Sequence, residues 1–129
     1  MARFLVDGMN VIGARPDGWW RDRDGAVRRL HAGLTALADT GDDTFVMVLD
    51  GRPLPDLPEH DGPVAVRYAR RAGADAADDR IVELVGADAD RALMVVVTAD
   101  RGLRERLAVL GTAAVGPRVL WARLDAVKP

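Results

Sequence analysis

Four aspartates stand where short apolar runs end or an amphipathic helix begins: Asp7 in "FLVDGMN", Asp75 and Asp78 in "ADAADDRIVELV", and Asp100 in "VVVTADRG". Carboxylates without a histidine or cysteine nearby are hard oxygen donors. They suit Mg²⁺ or Mn²⁺ rather than Zn²⁺. The chemistry open to such a site is chiefly phosphoryl transfer and phosphodiester hydrolysis. Each acid also has a plain structural reading. Asp-Gly occurs five times, at Asp7, Asp17, Asp24, Asp50 and Asp61, and is an ordinary turn signal. Asp100 could simply cap the helix that starts at Arg101.

The helix spacing around Asp78 weakens the plain reading. At 100° per residue, Ala77, Ile81, Val82, Leu84 and Val85 define one apolar face. Asp78 falls within that face, Asp75 lies at its edge, and Asp79 and Glu83 point away. A carboxylate facing a core is costly unless it is paired or holds a metal. Converging carboxylates would repel and raise one another's pKa, a conflict that a divalent cation removes.

The elements that must position these acids follow from periodicity. Strands are predicted at 3–6, 44–49, 64–68, 92–98 and 112–115, and helices at 24–39, 75–85, 101–111 and from Pro117 onward. Asp24 is the expected N-cap of the first long helix, Pro117 suits a first helical turn, and Gly111 ends the helix before it. The Pro-rich loop 52–63 is the segment expected to be least ordered. Strands alternating with helices imply an α/β fold: one three-layer, Rossmann-like domain over residues 1–129, with a mostly parallel sheet covered on both faces. Sites in such sheets form at the carboxyl ends of the strands. Asp7, Asp50 and Asp100 all fall there.

Composition narrows the classes. The chain has 129 residues, 49% of them apolar, no cysteine and a net charge of −2. Disulfides and thiolate metal sites are excluded, and nothing advertises a non-specific polyanion binder. Seventeen of eighteen basic residues are Arg and seventeen of twenty acids are Asp. That bias fits GC-rich coding, and it also fits phosphate contacts and metal ligation. The longest apolar run, "ALMVVV", is far too short to cross a bilayer. A strand beginning at residue 3 leaves no room for a signal peptide, so the expectation is a cytoplasmic protein without a membrane role. A P-loop and a G-x-G-x-x-G loop are absent, and the one lysine is Lys128. His31 and His60, in a helix and a Pro-rich loop, have no zinc-like partner in the sequence, and no Ser/His/Asp set is legible.

In order and spacing, "LVDGMNVIG", "VLDG", "ADAADDRIVELV" and "VVVTADRGLRERL" resemble the NYN domain, in its YacP-like branch of the PIN-like nucleases. The resemblance spans Phe4 to about Val115. It implies an endoribonuclease that uses one or two Mg²⁺ or Mn²⁺ ions and leaves 5′-phosphate and 3′-hydroxyl ends. Asp7, Asp78 and Asp100 would be the principal ligands, and Asp75 would bind a second metal or orient the water. Asn10, Thr98 and Arg101 would line the same edge, with Asp50 a lesser member. Asp75 stands where this family often has Glu, Met9 where an aromatic is common, and Ala99 where a small hydroxyl residue is common. The implied partner is RNA, free or on the ribosome, held by Arg15, Arg21 and Arg23 on one side and by Arg70 and Arg71, with Arg67, on the other. Trp19 and Trp20 could stack on unpaired bases or pack as a lid, and Trp121 fits a core position.

Two other classes are consistent with these residues. One is an RNA- or ribosome-binding module that keeps the fold and has little activity. The other is an aspartyl-type phosphatase, although Met9 occupies the position where a second Asp would be needed.

Overall fold

The computed structural model describes residues 1–128. The chain runs β1 (Arg3–Asp7), α1 (Gly8–Gly13), α2 (Arg23–Ala38), β2 (Thr44–Leu49), β3 (Val64–Tyr68), α3 (Ala76–Gly86), β4 (Met94–Val97), α4 (Arg101–Val109), β5 (Ala113–Val115) and α5 (Pro117–Ala126). Short 3₁₀ turns at Trp19–Arg21 and Arg91–Leu93 precede α2 and β4. The five strands form one sheet in the order β3-β2-β1-β4-β5, and every neighbouring pair is parallel. The expected α/β class and three layers are the ones found.

Alternation along the strands assigns the two faces. Val6, Phe45, Met47, Leu49, Val66 and Val97 face α1, α2 and α5, where they meet Val11, Leu30, Leu34 and Leu120. Leu5, Val48, Met94 and Val96 face the other way, onto Ile81 and Val85 of α3 and Leu103 and Leu107 of α4. Both faces are apolar because both are covered, which is why the strands read as near-continuous apolar runs.

Three local expectations are corrected. Helix α2 starts at Arg23, and its N-cap is Asp22, whose carboxylate accepts from the Gly25 amide at 3.0 Å; Asp24 lies inside the first turn instead. Strand β4 is shorter than predicted, because residues 91–93 wind into a 3₁₀ turn before it. The Pro-rich segment is packed down rather than loose. Leu54 and Leu57 are buried, and the Tyr68 hydroxyl donates to the Leu57 carbonyl at 2.6 Å and accepts from the Leu54 amide at 3.2 Å. Buried polar groups that exchange hydrogen bonds in this way hold a segment lacking secondary structure of its own. Helix α5 opens on Pro117, and Gly111 follows α4 with φ +77, as their types suggest.

One unpredicted element matters for the site. Helix α1 begins immediately after Asp7, with no intervening loop, and it packs against β2. Gly8 permits that approach: a Cβ there would lie 2.7 Å from Leu49 Cδ2 and 2.9 Å from the Val48 carbonyl oxygen. Gly8→Ala is therefore expected to push α1 off the sheet and destabilise the protein by about 1–3 kcal/mol, the usual range for overpacking. Urea unfolding with no loss of stability would show that the contact yields freely.

Candidate active site

The chain leaves β1 toward β2 and β3 on one side, then returns to lay β4 and β5 on the other. The switch in strand order thus falls between β1 and β4. Their register pairs Val6 with Val97, which sets Asp7 level with Thr98, the next residue of each strand. Thr98 is fully buried and Asp7 is 5% exposed. The Thr98 hydroxyl donates to Asp7 Oδ2 at 2.8 Å, and its oxygen accepts from the Asp100 amide at 3.1 Å. One side chain thereby ties together the two acids that end neighbouring strands. Asn10, on the first turn of α1, accepts from the Ala99 amide at 2.8 Å and braces the same junction.

Asp100 does two things at once. Its Oδ1 accepts from the Leu103 amide at 2.8 Å, capping α4, and the residue also lines the cleft above β1. The capping reading and the site reading are compatible, because a carboxylate has a second oxygen. Helix α3 supplies the facing wall. Asp78 lies in its first turn, half-buried, and Asp75 precedes the helix with φ 63, the one non-glycine residue with positive φ among the described residues. A left-handed Asp is tolerated better than most side chains there, and such backbones gather at functional sites. Asp75 does not use its side chain to cap α3.

These acids share one open cleft of about 210 Å³, lined by Asp7, Asn10, Asp50, Asp75, Asp78 and Asp100 together with Met9 and the 73–77 backbone. Its electrostatics are unfavourable as they stand. Burial, opposed by the Thr98 hydrogen bond and reinforced by Asp78, Asp100 and Asp50, pushes Asp7 up to about 6. Asp78 is also raised, first by burial and then by Asp100 and Asp75. Among the described residues, no three His, Asp or Glu side chains stand close enough together to hold a metal ion. The Asp7 and Asp100 carboxylates each turn one oxygen to a protein donor. The cleft's donors are all oxygen and neither histidine lines it, the chemistry of a hard-cation site, and a positive charge there would offset the repulsion that adds to burial in raising Asp7 and Asp78.

The remaining expected residues divide. Asp50 lines the cleft and is ion-paired with Arg23, which also donates to the Asp50 carbonyl at 3.2 Å, so that arginine sits on the rim. Arg70 and Arg71 line a neighbouring depression with Gly51 and Arg52. Arg70 pairs with Glu83 at 2.7 Å, and Arg71 pairs with Asp79. Arg67 is held by Asp61 and by the His60 carbonyl. Arg21 lies 5.9 Å from the Trp20 ring centroid.

None of the expected arginines lines the acid cleft itself, and two of them are directed elsewhere. Arg101 does not line it: its side chain is 95% exposed and lies 3.8 Å from Glu105. Arg15 is drawn to α5, where it pairs with Asp125 and lies 4.1 Å over the Trp121 ring. Trp121 itself donates to the Val11 carbonyl at 2.9 Å, and Trp19 packs on the core while Trp20 is 57% exposed.

Sequence reasoning missed two features. Asp79 is more than a free outward acid: Arg71 and, at 2.9 Å, Arg106 both pair with it, and they hold its carboxyl below the usual range. Arg80 is 8% exposed and donates to the Tyr68 carbonyl at 3.1 Å and to Glu83 at 2.6 Å. Its position four residues after buried Ala76 is the only sequence signal for that burial. Long arginine stems commonly cover apolar surface in this way.

No protein-family model matches the chain, and no curated protein does. Solved structures do. A structure of Rae1 (YacP) from Bacillus subtilis superposes with a TM-score of 0.79 at 22% identity, covering 98% of this chain and 75% of that one. A tryptophan-to-leucine mutant of the same protein gives 0.76 at 21% identity, covering 98% and 77%. At that level of identity the likeness speaks for architecture alone, and the chain has the fold of Rae1 (YacP).

Proposed function

We propose that this protein is a metal-dependent endoribonuclease, with Asp7, Asp78 and Asp100 as the principal ligands of Mg²⁺ or Mn²⁺ and Asp75 beside them. The observation that carries the reading is Asp7. A carboxylate 5% exposed at the switch point, its pKa raised first by burial and then by three further acids, is a poor choice for a turn and a good one for a cation. The PIN-like fold and the resemblance to NYN domains support RNA as the substrate.

When bound, the metal would supply polarisation of the scissile phosphate and a more acidic attacking water. The chain's own residues do the rest. Thr98 and Asn10 fix the β1 and β4 ends, so that Asp7 and Asp100 keep one face toward the cleft. Asp75, exposed and lining the cleft, would accept a proton from the attacking water. Arg23 on the rim and Arg70 and Arg71 in the adjoining depression would hold backbone phosphates, exchanging carboxylate partners for them.

The test is melting temperature against millimolar Mg²⁺ and Mn²⁺, because a ligand bound only by the folded state raises stability. Wild type and Asp42→Asn, an exposed acid outside the cleft, are expected to gain several degrees, and Asp78→Asn is expected to gain none. Cleavage of a single-stranded RNA should follow the same pattern. RNA binding that persists in EDTA, with no metal response in any variant and no cleavage, would instead make this a binding module.

A further inference from the structure

The two histidines lie 29 positions apart in the sequence, yet their rings meet edge to face with centroids 5.8 Å apart. His31 projects from α2 and His60 from the segment leading into β3. They lie away from the acid cleft, in a separate one of about 300 Å³ that Thr35, Asp39 and Asp61 also line.

Three details bear on what this pair can do. The His60 Nδ1 is 2.8 Å from the Pro58 carbonyl oxygen, which can only accept, so Nδ1 carries a hydrogen and Nε2 is the nitrogen left to offer a lone pair to a metal. That arrangement, one ring nitrogen on a carbonyl and the other free, is the usual support for a metal-ligating imidazole. The His31 Nε2 is the one buried side-chain nitrogen or oxygen without a hydrogen-bond partner among the described residues. Burial, and then His60, lower the His31 pKa, which keeps its ring neutral. Finally, both backbones are held. His31 is in mid-helix, and His60 exchanges backbone hydrogen bonds with Val66 at 3.3 and 3.0 Å.

We infer that His31 and His60 form a second metal site, for a borderline transition cation such as Zn²⁺ or Cu²⁺, separate from the acid cleft and bound through the two imidazole nitrogens. Imidazole selects these ions over Mg²⁺, so the two sites differ in ligand hardness. Two imidazoles are fewer than a closed cage needs, and water completes the coordination. Asp61, whose side chain is 88% exposed, and Asp39 line the same opening. Arg67 is paired with Asp61 and donates to the His60 carbonyl, so its charge is partly offset. A bound ion would pin the 50–63 segment to α2. That segment starts at Asp50, which lines the acid cleft, so the ion would stiffen one wall of it.

The test titrates Zn²⁺ alone into the full chain by calorimetry, with millimolar Mg²⁺ present to occupy the carboxylates. Wild type and Asp78→Asn are expected to bind one Zn²⁺ equally well, and His31→Gln and His60→Gln to bind it roughly tenfold more weakly or worse. Electron paramagnetic resonance of one equivalent of Cu²⁺ on wild type supplies a readout that needs no variant to fold. Coupling to two imidazole nitrogens is expected. Absence of Zn²⁺ binding, binding lost in Asp78→Asn but kept in the histidine variants, or a copper spectrum without two coupled nitrogens would overturn the inference.

Discussion

Asp7→Asn is expected to make the metal-free protein more stable at pH 7 while reducing RNA cleavage by about 100-fold or more. The loss follows from the proposed role: altering groups that only support a metal ligand commonly costs 10–100-fold, and removing a ligand should cost at least the upper end. The gain follows from burial. Asp7 is raised from the ordinary 3.8 to about 6, so its charged form is disfavoured by the fold. Below about pH 4 the group is protonated in both folded and unfolded chains and costs nothing. As pH rises through 4 to 6 the unfolded chain loses this proton first, and stability falls. Above about pH 7 the cost levels off near 3 kcal/mol, at about 1.4 kcal/mol per tenfold step in the equilibrium.

Asparagine removes that charge and keeps a carbonyl oxygen for the Thr98 hydroxyl, with its amide turned to the open cleft. The gain should be several degrees in melting temperature at pH 7 and close to zero at pH 4. A variant less stable at both pH values would return Asp7 to a purely structural role. The trade is the one expected of a site whose charges await a ligand: function is held at a cost to stability.

Thr98→Val is the second large effect, and it acts through Asp7. Valine has nearly the shape of threonine but leaves Asp7 Oδ2 without its donor and the Asp100 amide without its acceptor. A lost hydrogen bond to a charged, buried group costs about 1.5–3 kcal/mol, and the penalty applies only while Asp7 is ionised. Urea unfolding should therefore show a larger loss at pH 8 than at pH 4.5. The Asp7 pKa should move further above 6, carrying the acid limb of the cleavage pH profile with it. Activity at neutral pH should fall about 10–100-fold, as for other groups that orient a metal ligand. Thr98→Ser should restore both. Equal destabilisation at the two pH values would mean that Thr98 is merely a core residue.

Much of the scaffold was legible along the chain, because strand and helix periodicities are local. The predicted spans 44–49 and 64–68 coincide with β2 and β3, and the helix carrying Asp78 is displaced by one residue. The placement of Asp7, Asp50 and Asp100 followed from one topological rule. In a parallel sheet every strand ends at the same edge, so acids that follow strands must share it. The departure of α1 from a simple turn was less visible. Six residues carry too little periodicity to register, and the close packing that needs Gly8 is with β2, some forty positions on.

What only the tertiary structure decided is who pairs with whom. An Arg- and Asp-rich sequence offers many partners for each charge, and spacing cannot choose among them. Folding ties Arg23 to Asp50, Arg15 to Asp125, and both Arg71 and Arg106 to Asp79. It also buries Arg80, seals Thr98 between two strand ends, and brings His31 against His60. The sequence by itself determined the α/β scaffold and which edge the acids would occupy, since both depend on residue order and period. Which carboxylates are neutralised by arginine, and which stay unpaired and raised in pKa, depends on through-space distance and desolvation, and those exist only once the chain has folded.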